Sequence, residues 1–236
     1  MQKQLYEQGF LFRESKIHLK SDSEEAILEA FKDIKNCLKE IIGYIKIHPD
    51  FQHTLRPIKV LPGAPEIIQS MADSALKAGV GPIASVAGAI ADSGMKAMLK
   101  ANAKTAIVEN GGEVAVTADQ PVVVELISSY LSLSGKIGLY ITKEDSPLGI
   151  ATSSSKTKRV LSFGEADSVT VVADNASLAD AAATAVCNVV AGLDICKSIQ
   201  CGLDKAKEIS GVRGVIIIRE GQIGLWGKLP RIINIK

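Results

Sequence analysis

Apolar and polar residues alternate at the start of the chain. "LYEQGFLFRESKIHLK" alternates around Gly9 and the polar Glu14 and Ser15, which predicts a β-hairpin opening a sheet. The period then lengthens to that of a helix. Ile27, Phe31, Ile34, Leu38, Ile41 and Ile45 recur at spacings of four and three behind Ser21 and Glu24, a capping-box pair, so a long amphipathic helix is predicted to end before His48 and Pro49. Its apolar seam suits a coiled coil or, as the simpler reading, the protein's own sheet. "FQHTLRPIKVLPGAP" has no period and reads as an irregular connection. Residues 66–78 then put Ile67, Ile68, Met71 and Ala75 on one side of a helix. Gly79 can cap it, and Gly81 with Pro82 restarts a second helix of small residues, "PIASVAGAIADSGMKAML".

Strand-like text follows. "KTAIVENGGEVAVTA" gives strand, turn, strand, and "PVVVELI", "KIGLYIT", "GIATS" and "SVTVVA" continue the pattern. "SLADAAATAV" opens a further helix, Ile195, Ile199, Leu203 and Ala206 mark another, and "VRGVIIIREGQIGLW" is a hairpin turning at Glu220 and Gly221. Strands at both ends and in the middle, with helices in clusters, predict an α+β fold with a mixed, mostly antiparallel sheet. No linker argues for a cut, so residues 1–236 are expected to form a single domain.

Composition narrows the function classes. The 236 residues are 47% hydrophobic and 22% charged, enough apolar surface for a sizeable core. With a net charge of +1, five Phe, four Tyr and one Trp, no footprint for nucleic acid is read. The polar start carries no secretory pattern, and the longest uncharged apolar run, "AAATAVCNVVAGL", falls short of the roughly 18 residues of a membrane span. A cytoplasmic protein acting on a small molecule is expected, and its four cysteines, none in a CxxC pair, read as reduced thiols.

Several stretches could carry chemistry. "GVGPIA" has the letters of a dinucleotide-binding turn but follows a helix and lacks the acidic residue about 20 positions on, so the Rossmann reading is rejected. What remains is either an anion site on free N–H groups at a helix start or a close corner that needs glycine. In "VENGGEVAV", Asn110 and Gly111 suffice for a tight turn, and the second glycine suggests backbone that something approaches closely. Glu109 and Glu113 are metal or hydroxyl partners, or incidental charges on a solvated turn. "ATSSSKTKRV" offers Thr152 and Ser153 with Lys156, Lys158 or Arg159 to a phosphate, or is an exposed loop. In "SLADAAATAV", Ser177 is the expected N-cap, with Asp180 reaching back to it. Yet Ser177, Asp180, Thr184 and Cys187 share one side of that helix, and a carboxylate and hydroxyl one turn apart suit a hard cation such as Mg²⁺. His18, His48 and His53 lie in no catalytic motif, and at least two of the cysteines read as core thiols.

Taken in order, "GVGPIASVAG", "VENGGEVAV", "GIATSSS" and "SVTVVADNASLADAAATAV" resemble the ApbE-like superfamily, whose best-known members are FAD:protein FMN transferases. The resemblance is strongest over residues 79–190 and implies an ApbE-like α+β fold. It also implies Mg²⁺ ligands at Asp180 and Thr184 with the backbone of Ala84, and a flavin nucleotide beside Asn110, Gly111 and Gly112 and near Thr152 and Ser153. One departure is informative: the stretch before the "SVTV" strand, "RVLSFGEADSVTV", has no histidine and no Asp-Pro, which argues against standard FMN transfer.

The expectation is therefore an ApbE-like protein binding FAD or another nucleotide-like or phosphorylated ligand, with Mg²⁺. Phosphate would meet Gly79, Gly81 and Pro82, and any reaction would be metal-assisted nucleotidyl or flavin transfer or hydrolysis. Two rivals stand beside it: thiol-based sulfur or redox handling at Cys187, and a partner-binding protein with a degenerate site, dimerising through the long helix.

Overall fold

A computed structural model describes residues 4–12, 15–127, 134–155 and 163–235. Among them, eight strands form one sheet in the order β1-β2-β3-β4-β7-β8-β9-β10, and β11-β6-β5 form a second. The strands are β1 (Tyr6–Phe12), β2 (Ser15–Ser21), β3 (Ala106–Asn110), β4 (Glu113–Thr117), β5 (Val122–Glu125), β6 (Ile137–Ile141), β7 (Leu148–Ser153), β8 (Ser168–Ala173), β9 (Val212–Arg219), β10 (Gln222–Gly227) and β11 (Arg231–Asn234). The helices are α1 (Glu24–Ile47), α2 (Asp50–His53), α3 (Glu66–Ala78), α4 (Val86–Lys100), α5 (Ala176–Val189) and α6 (Ile195–Glu208), with a 3₁₀ turn at Pro82–Ser85. This is the α+β fold expected, with antiparallel ladders in both sheets.

Both faces of the large sheet are covered, and strand alternation divides its residues between them. Ala151, Val169 and Val171 pack under α5 and α6, whereas Ile150, Val172 and Ile216 face the second sheet. Ile17, Leu19, Val108 and Ala115 form a third cluster with α1, α3 and α4. All six residues of β8 are buried because neither side meets water, which explains the unbroken run "SVTVVA". The seam of α1 is consumed inside this chain: Ile27, Ile34 and Ile41 are buried, and a Cβ on Gly94 of α4 would lie 2.7 Å from the Ile34 side chain. Among the described residues, no single helix is long and apolar enough to cross a membrane.

Two helix starts differ from expectation. Ser23, not Ser21, caps α1, accepting from the Ala26 N–H at 3.2 Å. Ser21 is held in β2 opposite Tyr6 and Ala106, and its hydroxyl accepts from Ser23 instead. Asn175, not Ser177, caps α5, its Oδ1 accepting from Leu178 at 2.9 Å. The three-residue spacing of a cap pattern slides easily, and only the strand end fixes where the chain leaves extended geometry. Two short elements, α2 and β11, carry too few residues to show a period.

The position of α5 depends on two glycines. A Cβ on Gly88 would sit 2.1 Å from the Ala176 carbonyl oxygen, and one on Gly149 would sit 2.1 Å from the Ala176 nitrogen. The first turn of α5 is thus wedged between α4 and β7 at a spacing that no side chain permits.

Candidate functional site

α5 is buried almost all round, and that burial leaves one stripe partly open. Asp180, Thr184 and Asn188, spaced by four, are half-buried while most of their helical neighbours are inside. The expected polar front is corrected at both ends. Ser177 and Cys187 are each 0% exposed, Ser177 with its hydroxyl toward the Ser70 carbonyl and Cys187 within the core under α5. A thiol in that position lines no cleft, so the structure gives Cys187 the core role. Cys37 is buried as well, while Cys196 and Cys201 are exposed.

Asp180 does not reach back along its own helix. Its Oδ2 accepts from the Gly88 N–H at 3.0 Å, and the Ala87 N–H also stabilises its charge, so it caps the start of α4. Asp92 of α4 returns the contact, its two oxygens accepting from Ala176 and Ser177 at 2.8 Å each. Each helix thus supplies the anion for the other's positive end. The expected anion site at residues 79–84 is corrected accordingly. The α-helix begins at Val86, its first free N–H groups go to Asp180, and Gly81 and Pro82 are buried, with a Gly81 Cβ only 2.0 Å from the Thr54 carbonyl oxygen. Gly79 is the left-handed cap of α3, with φ of 78°. Ala84 is half-buried on the 3₁₀ turn and packs with the cluster under α5.

The β3–β4 hairpin brings a second carboxylate. Its two-residue turn is Gly111 and Gly112, with φ of 69° and 116°, and Asn110 pairs with Glu113. The second glycine is there for its backbone angle: a Cβ on Gly112 meets nothing within 4 Å. Burial first, and the charge of Glu109 after it, pushes the Glu113 carboxyl up to about 7. Burial first and Glu113 next hold Asp180 well above the usual carboxylate range, although the Gly88 and Ala87 N–H groups oppose this. Burial also lifts Asp92 to about 6 against the two N–H groups it accepts.

On the other side of the sheet lies a cavity of about 900 Å³, a size suited to an organic ligand. His18, Glu109, Glu113, Gly111, Gly112 and Thr152 are among its lining residues, facing Val123 and Glu125 of β5. Strand alternation separates Thr152 from Ser153. Thr152 turns to the cavity, its hydroxyl 2.9 Å from that of Thr170, while Ser153 points beneath the helices with its Oγ buried and unpartnered. Asn110 also lies on the helix side, donating to the Ala87 carbonyl at 3.1 Å. Glu113 belongs to both surroundings. Lys156, Lys158 and Arg159 lie outside the described residues.

Two residues gave little warning. Asp92 is one carboxylate in a helix of small residues, and its role depends on a helix that begins 84 positions later. His18 is in no motif; it faces the cavity because its register places it opposite Glu109, with Gly9 leaving room beside the ring. Among the described residues no three His, Cys, Asp or Glu side chains converge as a ready metal cluster. The side chains associated with Asp180 nevertheless fit a hard cation in kind: the Glu113 carboxylate, whose charge acts on it, and the Thr184 hydroxyl one turn along the helix.

Comparison with known proteins agrees with this architecture. The family described as AbpE bacteria matches residues 9–223. A UPF0280 protein of Methanopyrus kandleri is 38% identical over 235 residues, covering 98% of this chain and 95% of that relative. One of Methanospirillum hungatei is 40% identical over 225 residues, covering 95% and 89%. Among solved structures, the flavinyl transferase ApbE of Pseudomonas stutzeri aligns with a TM-score of 0.58 at 13% identity, covering 96% of this chain and 95% of that one. The ApbE protein of Thermotoga maritima aligns at 0.57 and 16%, covering 95% and 97%, a likeness of fold.

Proposed function

Since the chain belongs to the AbpE bacteria family and has the fold of ApbE flavin transferases, we propose that it binds a flavin or related nucleotide across the β3–β4 hairpin. The organic end occupies the 900 Å³ cavity, and the phosphates meet a divalent cation held by Asp180, Thr184 and the Ala84 backbone. The Gly111 and Gly112 turn, which has no side chains, is the bridge between the two, with Thr152 on the cavity side. One observation carries the reading. α5 is buried nearly throughout, yet it leaves a carboxylate and a hydroxyl only half-buried one turn apart, within the electrostatic reach of a second carboxylate that also lines the cavity. The Glu113 charge raises the Asp180 carboxyl, and a proton or a cation held between the two would relieve that repulsion.

When bound, the cation supplies charge neutralisation at phosphoryl oxygens. This chain's residues position it: Gly88 and Ala87 N–H groups fix one Asp180 oxygen, and Asp92 fixes the turn that carries Asp180. Binding is the activity proposed. Transfer of FMN to a protein is not, because the segment before β8 has no histidine. Calorimetry with FAD and ADP, each with and without Mg²⁺, tests the reading. Mg²⁺-dependent binding should weaken at least about tenfold in Asp180→Asn, whose amide oxygen can still accept from Gly88. Equal affinity in the variant, with the fold intact, would disprove the role of Asp180.

A further inference from the structure

The β3–β4 hairpin sends two oxygen-bearing side chains to the helix side of the sheet. Asn110 and Glu113 stand directly opposite one another in the ladder, so their side chains are neighbours on that face. Asn110 is 2% exposed, and its Nδ2 is committed to the Ala87 carbonyl, the carbonyl of the peptide whose Gly88 N–H donates to Asp180. Its Oδ1 has no hydrogen-bond partner among the described residues. A buried amide oxygen left unpaired costs about 1–3 kcal/mol, so this one favours a ligand that can accept its lone pair. The Glu113 charge adds to burial in raising the Asp180 carboxyl.

We propose that Asn110 Oδ1 and the Glu113 carboxylate complete, with Asp180 and Thr184, a site that takes a hard divalent cation on protein oxygens alone, before any nucleotide arrives. This rests on the cation reading above and adds two ligands and an order of binding. Two carboxylates match the cation's charge. An amide oxygen, a hydroxyl and waters complete the oxygen-only shell that Mg²⁺ or Mn²⁺ prefers. The hairpin is then both a rim of the organic cavity and part of the cation's shell, which gives Glu113 a reason to be half-buried near a like charge.

The test uses Mn²⁺ alone, read by electron paramagnetic resonance on the nucleotide-free full chain. Wild type should bind one Mn²⁺. Glu113→Gln should lose at least about tenfold in affinity and Asn110→Ala should also weaken, while metal-free Glu113→Gln should melt no lower than wild type. A merely structural glutamate would give the opposite melting result. If Glu113→Gln folds poorly, Glu113→Asp keeps the charge but shortens the reach, and it should weaken Mn²⁺ binding at unchanged metal-free melting. Equal affinity in these variants, or Mn²⁺ binding only when FAD is added, overturns this proposal and leaves the reading above standing. Unchanged Mn²⁺ affinity in Asp180→Asn overturns both.

Discussion

Asp92 and Asp180 each accept from the first turn of the other's helix, and both sit where burial resists their charge. This has a consequence for pH. Asp92 and Glu113 are raised in the folded protein from 3.8 and 4.5 to about 6 and about 7, so between those limits the folded state holds protons that the unfolded chain has released. Their contribution to stability is present below about pH 4 and is lost as pH rises through 6 and 7. Metal-free protein is therefore expected to melt lower at pH 8 than at pH 5, by roughly 5 °C, and Glu113→Gln should flatten the upper part of that fall. Differential scanning calorimetry in chelator measures it; a Tm that rises over this interval would contradict the assignment. At the same scale, Asn175→Ala should destabilise by about 1 kcal/mol in urea unfolding. Ser177→Ala should cost clearly less, since Ser177 makes only a 3.5 Å contact with the Ser70 carbonyl.

At the scale of elements, the proposed cation stripe depends on how α5 is seated. Gly88 and Gly149 let the Ala176 peptide lie between α4 and β7, and this contact sets the level of Asp180 against the start of α4. Gly88→Ala would put a methyl 2.1 Å from a carbonyl oxygen, so α5 must shift. We expect about 3 kcal/mol of destabilisation, together with loss of Mg²⁺-dependent nucleotide binding. Urea unfolding and calorimetry on the one variant check both, and wild-type stability would show that the helices have slack. The hairpin turn behaves differently. Gly112 has open space around it, but its φ of 116° is left-handed, so Gly112→Ala should strain the turn without any clash.

Across the whole molecule, the proposed ligand joins two surroundings on opposite sides of one sheet. Adding FAD with Mg²⁺ should slow hydrogen exchange at residues 109–114 and 180–188 together, and protection confined to one of these segments would separate cavity from cation. Ligand near 100 times its Kd should add about 2.7 kcal/mol to apparent stability.

Much of this was readable along the chain. The spacing of Ile67, Ile68, Met71 and Ala75 located α3, the glycines at 111 and 112 located the hairpin, and the stretch 177–186 held the carboxylate and hydroxyl one turn apart. Periodicity, turn chemistry and side-chain type are local, so one dimension suffices to express them. What the stretch could not say is where Asp180 points. Cap and ligand both satisfy the same four residues, and the choice fell to the N–H groups of Ala87 and Gly88, more than 90 positions away. The same limit hid Asp92, buried Cys187, and divided Thr152 from Ser153. In each case the deciding contact lies between segments distant in sequence, and its strength comes from burial, which exists only once the layers have closed on one another.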